Sequence, residues 1–132
     1  MDGLQRDFES VTSNSSLIEA SRVQGAAVYN PHGEKLGTVD DVMIDKRSGH
    51  AAYAIMSFGG FLGLGGDYYP IPWSKLKYDP NLAGYVVDIE PRVLEGAPAY
   101  AAGAKPQWGD QAYEESLHRY YGAAPYWGDA WV

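Results

Sequence analysis

Apolar and polar residues alternate in short runs over residues 23–89, and clusters of Gly, Pro and Asn separate these runs. Alternation with a period of two is typical of half-buried β-strands. The pattern predicts five or six short antiparallel strands, at residues 23–29, 36–44, 50–58, 67–79 and 85–89. We therefore predict an all-β fold, a small antiparallel barrel or sandwich, and closure into a barrel would remove exposed strand edges.

Three strands carry irregularities in the pattern. The alternation changes phase at Asp40 and Asp41, which predicts a β-bulge. Residues 50–58 contain few polar side chains, so we expect this strand to be covered on both faces. Pro70 and Pro72 cannot donate hydrogen bonds to a neighbouring strand, and they confine the strand at residues 67–79 to an edge or a bulge.

The pattern changes after the last predicted strand. Residues 111–121 have the spacing of an amphipathic helix, with Asp110 as N-cap and Gly122 as the residue that ends it. Its apolar face is predicted to contain Tyr113, Leu117, Tyr120 and Tyr121. Residues 100–132 hold eight aromatic residues among 33, which is unusual for a solvated tail. We expect this tail to pack on the barrel or on a second subunit, and we predict a homodimer.

These features divide the chain into three parts. Residues 1–16 are rich in Ser, Thr and Asn and are predicted to form a flexible arm. Residues 17–95 form the barrel. Residues 96–132 form a connector rich in Ala, Gly and Pro, a short helix and the aromatic tail.

Composition excludes several classes of function. The chain has no cysteine, and its net charge of −7 disfavours binding to nucleic acid, since phosphates are bound through Lys and Arg. The longest uncharged run, residues 51–66, is shorter than the ~20 residues that a membrane-spanning helix needs. The first residues show no basic region followed by an apolar one. We predict a cytoplasmic protein with no membrane span.

The stretch SFGGFLGLGGDYYPIPW, residues 57–73, is the most unusual local sequence. A phosphate-binding loop would need Lys and Ser or Thr after its glycines, but Asp67 follows here and would repel phosphate. The apolar residues between the glycines are either a plug for the barrel or a docking element. We predict protein contacts through these residues and the neighbouring and C-terminal aromatics: Phe61, Leu62, Leu64, Tyr68, Tyr69, Trp73, Tyr126, Trp127 and Trp131.

The chain shows no motif for catalysis or for metal binding. The histidines His32, His50 and His118 have no paired metal-ligand spacing, and no calcium-loop order surrounds the acidic residues near Asp45. Ser74 lies at a strand end without a motif around it. We predict a protein that is not an enzyme, with no catalytic residue, no metal site and no cofactor.

An ordered set of short motifs resembles the PRC-barrel family, the β-barrel domain shared with the H subunit of the photosynthetic reaction centre. The matching residues are Gly25, Val28, Tyr29 and Asn30, then GEKLG at 33–37, DVMID at 41–45, SG at 48–49, the glycines that follow, and PIPWS at 70–74. The resemblance covers residues 16–94, and the whole chain, with YYGAAPYW near its end, looks like a stand-alone bacterial member.

The resemblance implies a six-strand barrel that acts in protein interaction and assembly. It points to photosynthetic reaction-centre assembly or to the regulation of electron transfer in the light reactions. Two alternatives stay open: a barrel that binds a small quinone-like or pigment-like ligand, and an adaptor related to ribosome maturation or RNA processing. Among these 132 residues we expect no counterpart of the membrane helix of the H subunit or of the companion domain of the ribosomal factor.

Overall fold

The computed structural model describes residues 16–59 and 66–128. Within these residues the chain forms seven strands, three α-helices and one 3-10 helix. In chain order they are helix α1 (Ala20–Val23), strands β1 (Ala27–Tyr29), β2 (Lys35–Ile44), β3 (Ala51–Phe58) and β4 (Asp67–Pro72), the 3-10 helix (Trp73–Lys75), strands β5 (Leu76–Asp79) and β6 (Gly84–Val87), helix α2 (Pro91–Glu95), strand β7 (Tyr100–Ala101) and helix α3 (Gln111–Tyr121). None of the helices in these two ranges has the length and apolar character to traverse a bilayer.

The strands form one mixed sheet in the order β5-β6-β1-β2-β3-β4-β7. All neighbouring strands pair antiparallel except β1 and β6, which pair parallel, with Val28 opposite Tyr85. The prediction of a closed barrel of six antiparallel strands is therefore wrong in strand number, closure and direction. The mainly β architecture with a C-terminal helix is confirmed.

The segment predicted as one strand at residues 67–79 explains much of the difference. The chain leaves β4 after Pro72, turns through the 3-10 helix, and places β5 at the opposite end of the sheet beside β6. Pro70 and Pro72 pair with β3, and β7 pairs only with Asp67 and Tyr68. Across the described residues, the far side of β4 at its prolines carries no paired strand, as expected where backbone donors are missing.

Strand β2 contains the predicted bulge. Val39 lies opposite Met56 and Asp41 opposite Ile55, which leaves Asp40 without a partner residue in the ladder. Nearer the start of the strand, Gly37 lies so close to β3 that an added Cβ would be 1.9 Å from the Ser57 carbonyl oxygen. Only glycine allows the two backbones to approach in this way.

Strand β3 is buried on both faces, as its sequence predicted. Its residues Ala54, Met56 and Phe58 point into the main core, together with side chains from β1, β2, β4, β5 and β6. The core also contains Val28, Leu36, Val39, Tyr69, Ile71, Leu76, Tyr85 and Val87, all of them buried. The sheet therefore curls around one apolar core. Tyr53 belongs to a second cluster outside this core.

Helix α3 begins and ends at the predicted residues. The Asp110 carboxylate accepts hydrogen bonds from the backbone N–H groups of Ala112 (2.9 Å) and Tyr113 (3.4 Å), and Gly122 ends the helix with φ 63°. The buried face differs from the predicted one: it consists of Glu114, Leu117, His118 and Tyr121. Two polar residues therefore lie in the stripe that packs against the sheet.

Candidate functional site

A second buried cluster joins strand β3 to helix α3. Ala52, Tyr53 and Leu117 form its centre, with Met43, Trp108 and Tyr113 packed around them. Tyr53 faces away from the main core because residues alternate between the two faces of a strand. The helix supplies Leu117, and this apolar contact holds the polar side chains of the same helix face against Tyr53.

Glu114 is the hub of the polar side chains in this cluster. Its side chain is 2% exposed. One carboxylate oxygen, Oε1, accepts hydrogen bonds from the hydroxyls of Tyr53 (2.9 Å) and Tyr126 (2.7 Å), and Oε2 accepts one from the backbone N–H of Gly109 (2.8 Å). A buried carboxylate needs such donors because burial removes its hydration. Three segments of the chain, β3, the start of α3 and the tail, therefore meet at one side chain.

His118 completes the network from the next turn of the helix. Its Nε2 atom lies 2.9 Å from the Tyr53 hydroxyl oxygen. Because Tyr53 gives its one proton to Glu114, Nε2 donates to the tyrosine oxygen. Burial lowers the pKa of His118, although the nearby backbone of Ala123 and Ala124 and the charge of Glu114 act in the opposite direction. A neutral imidazole with its proton on Nε2 fits this direction, and its buried Nδ1 atom has no hydrogen-bond partner among the described residues.

The tyrosines around Glu114 remain protonated at neutral pH. Burial, followed by the charge of Glu114, strongly raises the pKa of Tyr53. Burial and the hydrogen bond to Glu114 raise the pKa of Tyr126, and burial raises that of Tyr113 to about 12. These phenols therefore act as hydrogen-bond donors and do not supply a base at neutral pH.

An open groove of about 540 Å³ lies above this cluster. The turn between β2 and β3 forms one side, and Trp108, Tyr126 and Trp127 form the other. The lining residues are Met43, Ile44, Asp45, Lys46, Arg47, Ser48, Ala52, Tyr53, Trp108, Gly109, Glu114, Tyr126 and Trp127. The volume and the mainly apolar and aromatic lining are typical of binding sites in proteins.

Aromatic packing fixes the walls of the groove. The ring of Tyr53 lies 5.1 Å from that of Trp108 and 5.6 Å from that of Tyr126, the latter edge to face. Trp127 packs on Tyr126 (5.0 Å) and on His118 (5.1 Å). Tilted and edge-to-face contacts of this kind are favourable. The aromatic tail, as far as residue 128, therefore packs on its own chain.

The β2–β3 turn is held by its first residue, Asp45. Its carboxylate accepts hydrogen bonds from the Ser48 hydroxyl (2.8 Å) and from the backbone N–H of Arg47 (3.2 Å). These bonds lower the pKa of Asp45, with the Ser48 bond as the largest cause. Gly49 closes the turn with φ 77°. The turn at residues 45–49 presents Lys46 and Arg47 at the mouth of the groove.

The structure separates the residues predicted to make protein contacts. Tyr126 and Trp127 line the groove. Tyr69 lies in the main core, 4% exposed and edge to face with Phe58, and Trp73 is half-buried against Tyr85. Half-buried Tyr68 packs on Tyr100 at the edge of the sheet. Phe61, Leu62, Leu64 and Trp131 lie outside the described residues, so their role as plug or docking element stays a prediction.

Sequence reasoning missed most of the cluster. Tyr53 looks like one more apolar residue of a buried strand, and Glu114 and His118 look like solvated charges that favour the helix dipole. One signal was present: Glu114, Leu117, His118 and Tyr121 follow the i, i+3, i+4, i+7 spacing of a helix face. Within the described part of the chain, no three His, Asp or Glu side chains converge on a possible metal site.

Comparison with known proteins identifies one family. The family model described as PRC-barrel domain matches residues 16–94, well over half of the 132-residue chain. The match confirms the resemblance predicted from the motifs at 25–37, 41–49 and 70–74. No curated protein matches the chain. The matched region includes strands β1–β6 and Tyr53, whereas Trp108, Glu114, His118 and Tyr126 follow it.

Proposed function

Since this chain belongs to the PRC-barrel domain family, we propose that it is a non-enzymatic module that acts through contacts with other proteins. Membership supports a protein-interaction role in general terms, and the family is non-catalytic in general. The observation that carries the proposal for this chain is the aromatic groove. It is open at the surface, and hydrogen bonds to Glu114 hold the residues at its base. Aromatic side chains in such positions supply much of the binding energy in protein interfaces.

The arrangement of the polar groups supports a role other than catalysis. Both oxygens of Glu114 accept hydrogen bonds from the protein itself, and the Tyr53 hydroxyl joins Glu114 to His118. A general base must reach a substrate proton with a free lone pair. Here Glu114 and His118 are buried beneath Tyr53 and Tyr126, which suits a structural role in holding the helix and the tail.

The family resemblance extends the proposal to a specific process. We propose assembly of a photosynthetic reaction centre, or regulation of its electron transfer, as the first setting to test, and a ribosome-related adaptor as the alternative. We also propose a cytoplasmic location. We propose a homodimer as well, through aromatic side chains that stay exposed on the folded chain. The support for the photosynthetic setting is the barrel family that this chain shares with the reaction-centre H subunit.

A second candidate function is the binding of a small quinone-like or pigment-like ligand. The volume of the groove and its tyrosine and tryptophan walls favour it. Protein purified from its native cells separates the two functions, because a ligand carrier would retain a chromophore or an added mass. A protein-interaction module would instead be recovered with a second polypeptide.

Cross-linking in native cells, followed by affinity capture of the full chain, tests the main proposal. We expect wild type to recover a specific partner and Tyr126→Ser to recover much less of it. Tyr78→Ser is the matched control, because Tyr78 is exposed to a similar degree (46% against 36%) and does not line the groove. Recovery of no protein from wild type, together with a bound small molecule, would contradict the proposal and favour the ligand carrier.

A further inference from the structure

The charged side chains that line the groove differ in the number of hydrogen bonds that they form within the protein. Asp45 accepts two hydrogen bonds within its own turn, and Glu114 accepts three at the base of the groove. Both carboxylates therefore have internal donors. Their negative charges remain, but both are directed at donors within the protein, whereas the two basic residues that follow Asp45 are exposed to solvent.

Lys46 and Arg47 are exposed at the tip of the β2–β3 turn, and both line the groove. No salt bridge formed within residues 16–59 and 66–128 involves either side chain. The charge of Arg47 reaches Tyr126 on the opposite wall and acts to lower its pKa, against the larger, opposite effect of Asp45. Two carboxylates and two cationic side chains line the groove, so its lining has no net charge. The two cations lie at the exposed tip of the turn, where they are placed to pair with carboxylates of a partner.

The rest of the groove selects for a ring or a large aliphatic side chain. Met43, Ile44 and Trp108 supply apolar surface between the turn and the tail. Ile44 is 53% exposed and Tyr126 36% exposed, so apolar area is available to be covered. The groove is open to solvent and does not enclose its contents, which suits a segment of protein better than a small molecule that must be enclosed.

From these observations, and resting on the protein-interaction function proposed above, we infer the class of partner. We propose that the groove binds an acidic segment of a partner protein, with an aromatic or large aliphatic side chain against Trp108 and Tyr126 and carboxylates paired with Lys46 and Arg47. The buried cluster around Glu114 keeps the aromatic wall in place for this contact. Binding weakens as salt concentration rises, because exposed charges are screened.

The test uses the full chain and a set of short blocked peptides. The first peptide has a central Phe flanked by Asp residues. In the others, Asn or Lys replaces every Asp, or Ser replaces the Phe. Calorimetry gives the affinities, and tryptophan fluorescence reports on the groove through Trp108 and Trp127. We expect the acidic Phe peptide to bind about tenfold more tightly than the Asn peptide and than the peptide without Phe.

Charge reversal locates the binding site. We expect Lys46→Glu combined with Arg47→Glu to weaken binding of the acidic peptide by about tenfold or more. The fold should be retained, because both side chains are exposed and form no hydrogen bond within the described ranges. Lys35→Glu combined with Lys77→Glu is the matched control. It changes the net charge equally at exposed strand positions outside the groove.

Each other outcome overturns the inference. Tighter binding of the Lys peptide would mean that the aromatic rings and Glu114 hold a cation instead. Equal loss of affinity in the control would mean that only overall charge matters. If no peptide binds, the groove is not a peptide site. If native cells yield the same cross-linked partner with wild type and with the Lys46→Glu, Arg47→Glu variant, the protein-interaction function stands and this inference fails.

Discussion

The two faces of strand β3 pack by different chemistry. On one face, Met56 joins a core built almost entirely from apolar side chains. On the other face, Tyr53 joins a cluster in which Glu114 and His118 are as deeply buried as the apolar residues. The stability of the apolar core depends on how completely side chains fill its volume, because apolar contacts have no preferred direction. The outer cluster depends on the direction of hydrogen bonds, because each buried polar atom needs a partner in the right place.

This difference suggests that the apolar core and the outer cluster have separate structural roles. The core stabilises the family's sheet, whereas the outer cluster attaches a helix and a tail that follow the matched residues 16–94. A directional cluster fixes one orientation of the attached elements. It therefore shapes the groove with little contribution from the core itself, and the two regions should respond differently to mutation.

Removal of apolar volume from the core should have the largest effect. Ile71 is fully buried in β4, and Ile71→Ala should lower the free energy of unfolding by about 2–5 kcal/mol. The reason is the loss of apolar contact together with the cavity left behind. Urea denaturation followed by circular dichroism measures the change.

Ile44→Ala is the control for that experiment, since Ile44 is on the same sheet but 53% exposed. Its effect should stay within about 0.5 kcal/mol. If the two variants lost similar stability, the burial pattern of the sheet would be incorrect.

Removal of one hydroxyl from the outer cluster should have the next largest effect. Tyr53→Phe leaves Nε2 of His118 without its acceptor and takes one donor from Glu114. Buried groups left in this way cost about 1–3 kcal/mol. Tyr126→Phe removes the other hydroxyl that donates to Glu114, but Tyr126 is partly exposed and water can replace it. We therefore expect Tyr126→Phe to lose less stability than Tyr53→Phe. A larger loss in Tyr126→Phe would mean that Tyr53 is not central to the hydrogen bonds of the cluster.

The sequence predicted the apolar features of the molecule well. Alternation and turn residues located strands β2, β3 and β6, the bulge at Asp40 and both ends of helix α3, but merged β4 and β5 into one strand and extended β1 into helix α1. Such features are local, since they depend on the period of the pattern and on the backbone preferences of Gly, Pro and Asp. The family match confirmed the identification made from the motifs.

The features that depend on distant contacts were not predictable in this way. Nothing local indicates that the chain crosses from β4 to the far end of the sheet, or that β6 lies parallel to β1. Likewise, Glu114 and Tyr53 are 61 positions apart, and their hydrogen bond exists only in the folded chain. Sequence reasoning left Glu114 and His118 out of the predicted buried face, since charged residues are rarely buried without partners and the partners were not visible.

The pH dependence of stability offers a third test of the outer cluster. Burial lowers the pKa of His118 below that of the unfolded chain. Between the folded and unfolded pKa values, the unfolded state therefore binds more protons, and stability rises with pH. The stabilising contribution is fully present above the unfolded value of about 6.5 and is lost as pH falls towards the folded pKa. One such group gives a slope of at most about 1.4 kcal/mol per pH unit.

Urea denaturation between pH 7.5 and pH 5 (spanning the reference histidine pKa of about 6.5) measures this slope. We expect His118→Gln to flatten the curve, whereas His32→Gln, in an exposed turn, should leave it unchanged. An unchanged slope in the His118 variant would show that the histidine binds protons equally in the folded and the unfolded chain, in conflict with its burial beneath Tyr53.

The smallest effect should come from the attachment of helix α3 at its start. Asp110→Ala removes the acceptor for the backbone N–H groups of Ala112 and Tyr113 and should cost about 1 kcal/mol. Asp110→Asn keeps a capping oxygen and should cost less. Hydrogen exchange distinguishes the two regions: in the Ala variant, we expect faster exchange in α3, which carries Glu114 and His118, and no change in β3 at Met56. Equal acceleration in both would mean that the core and the outer cluster unfold as one unit, because local opening exposes only the amides of the unit that opens.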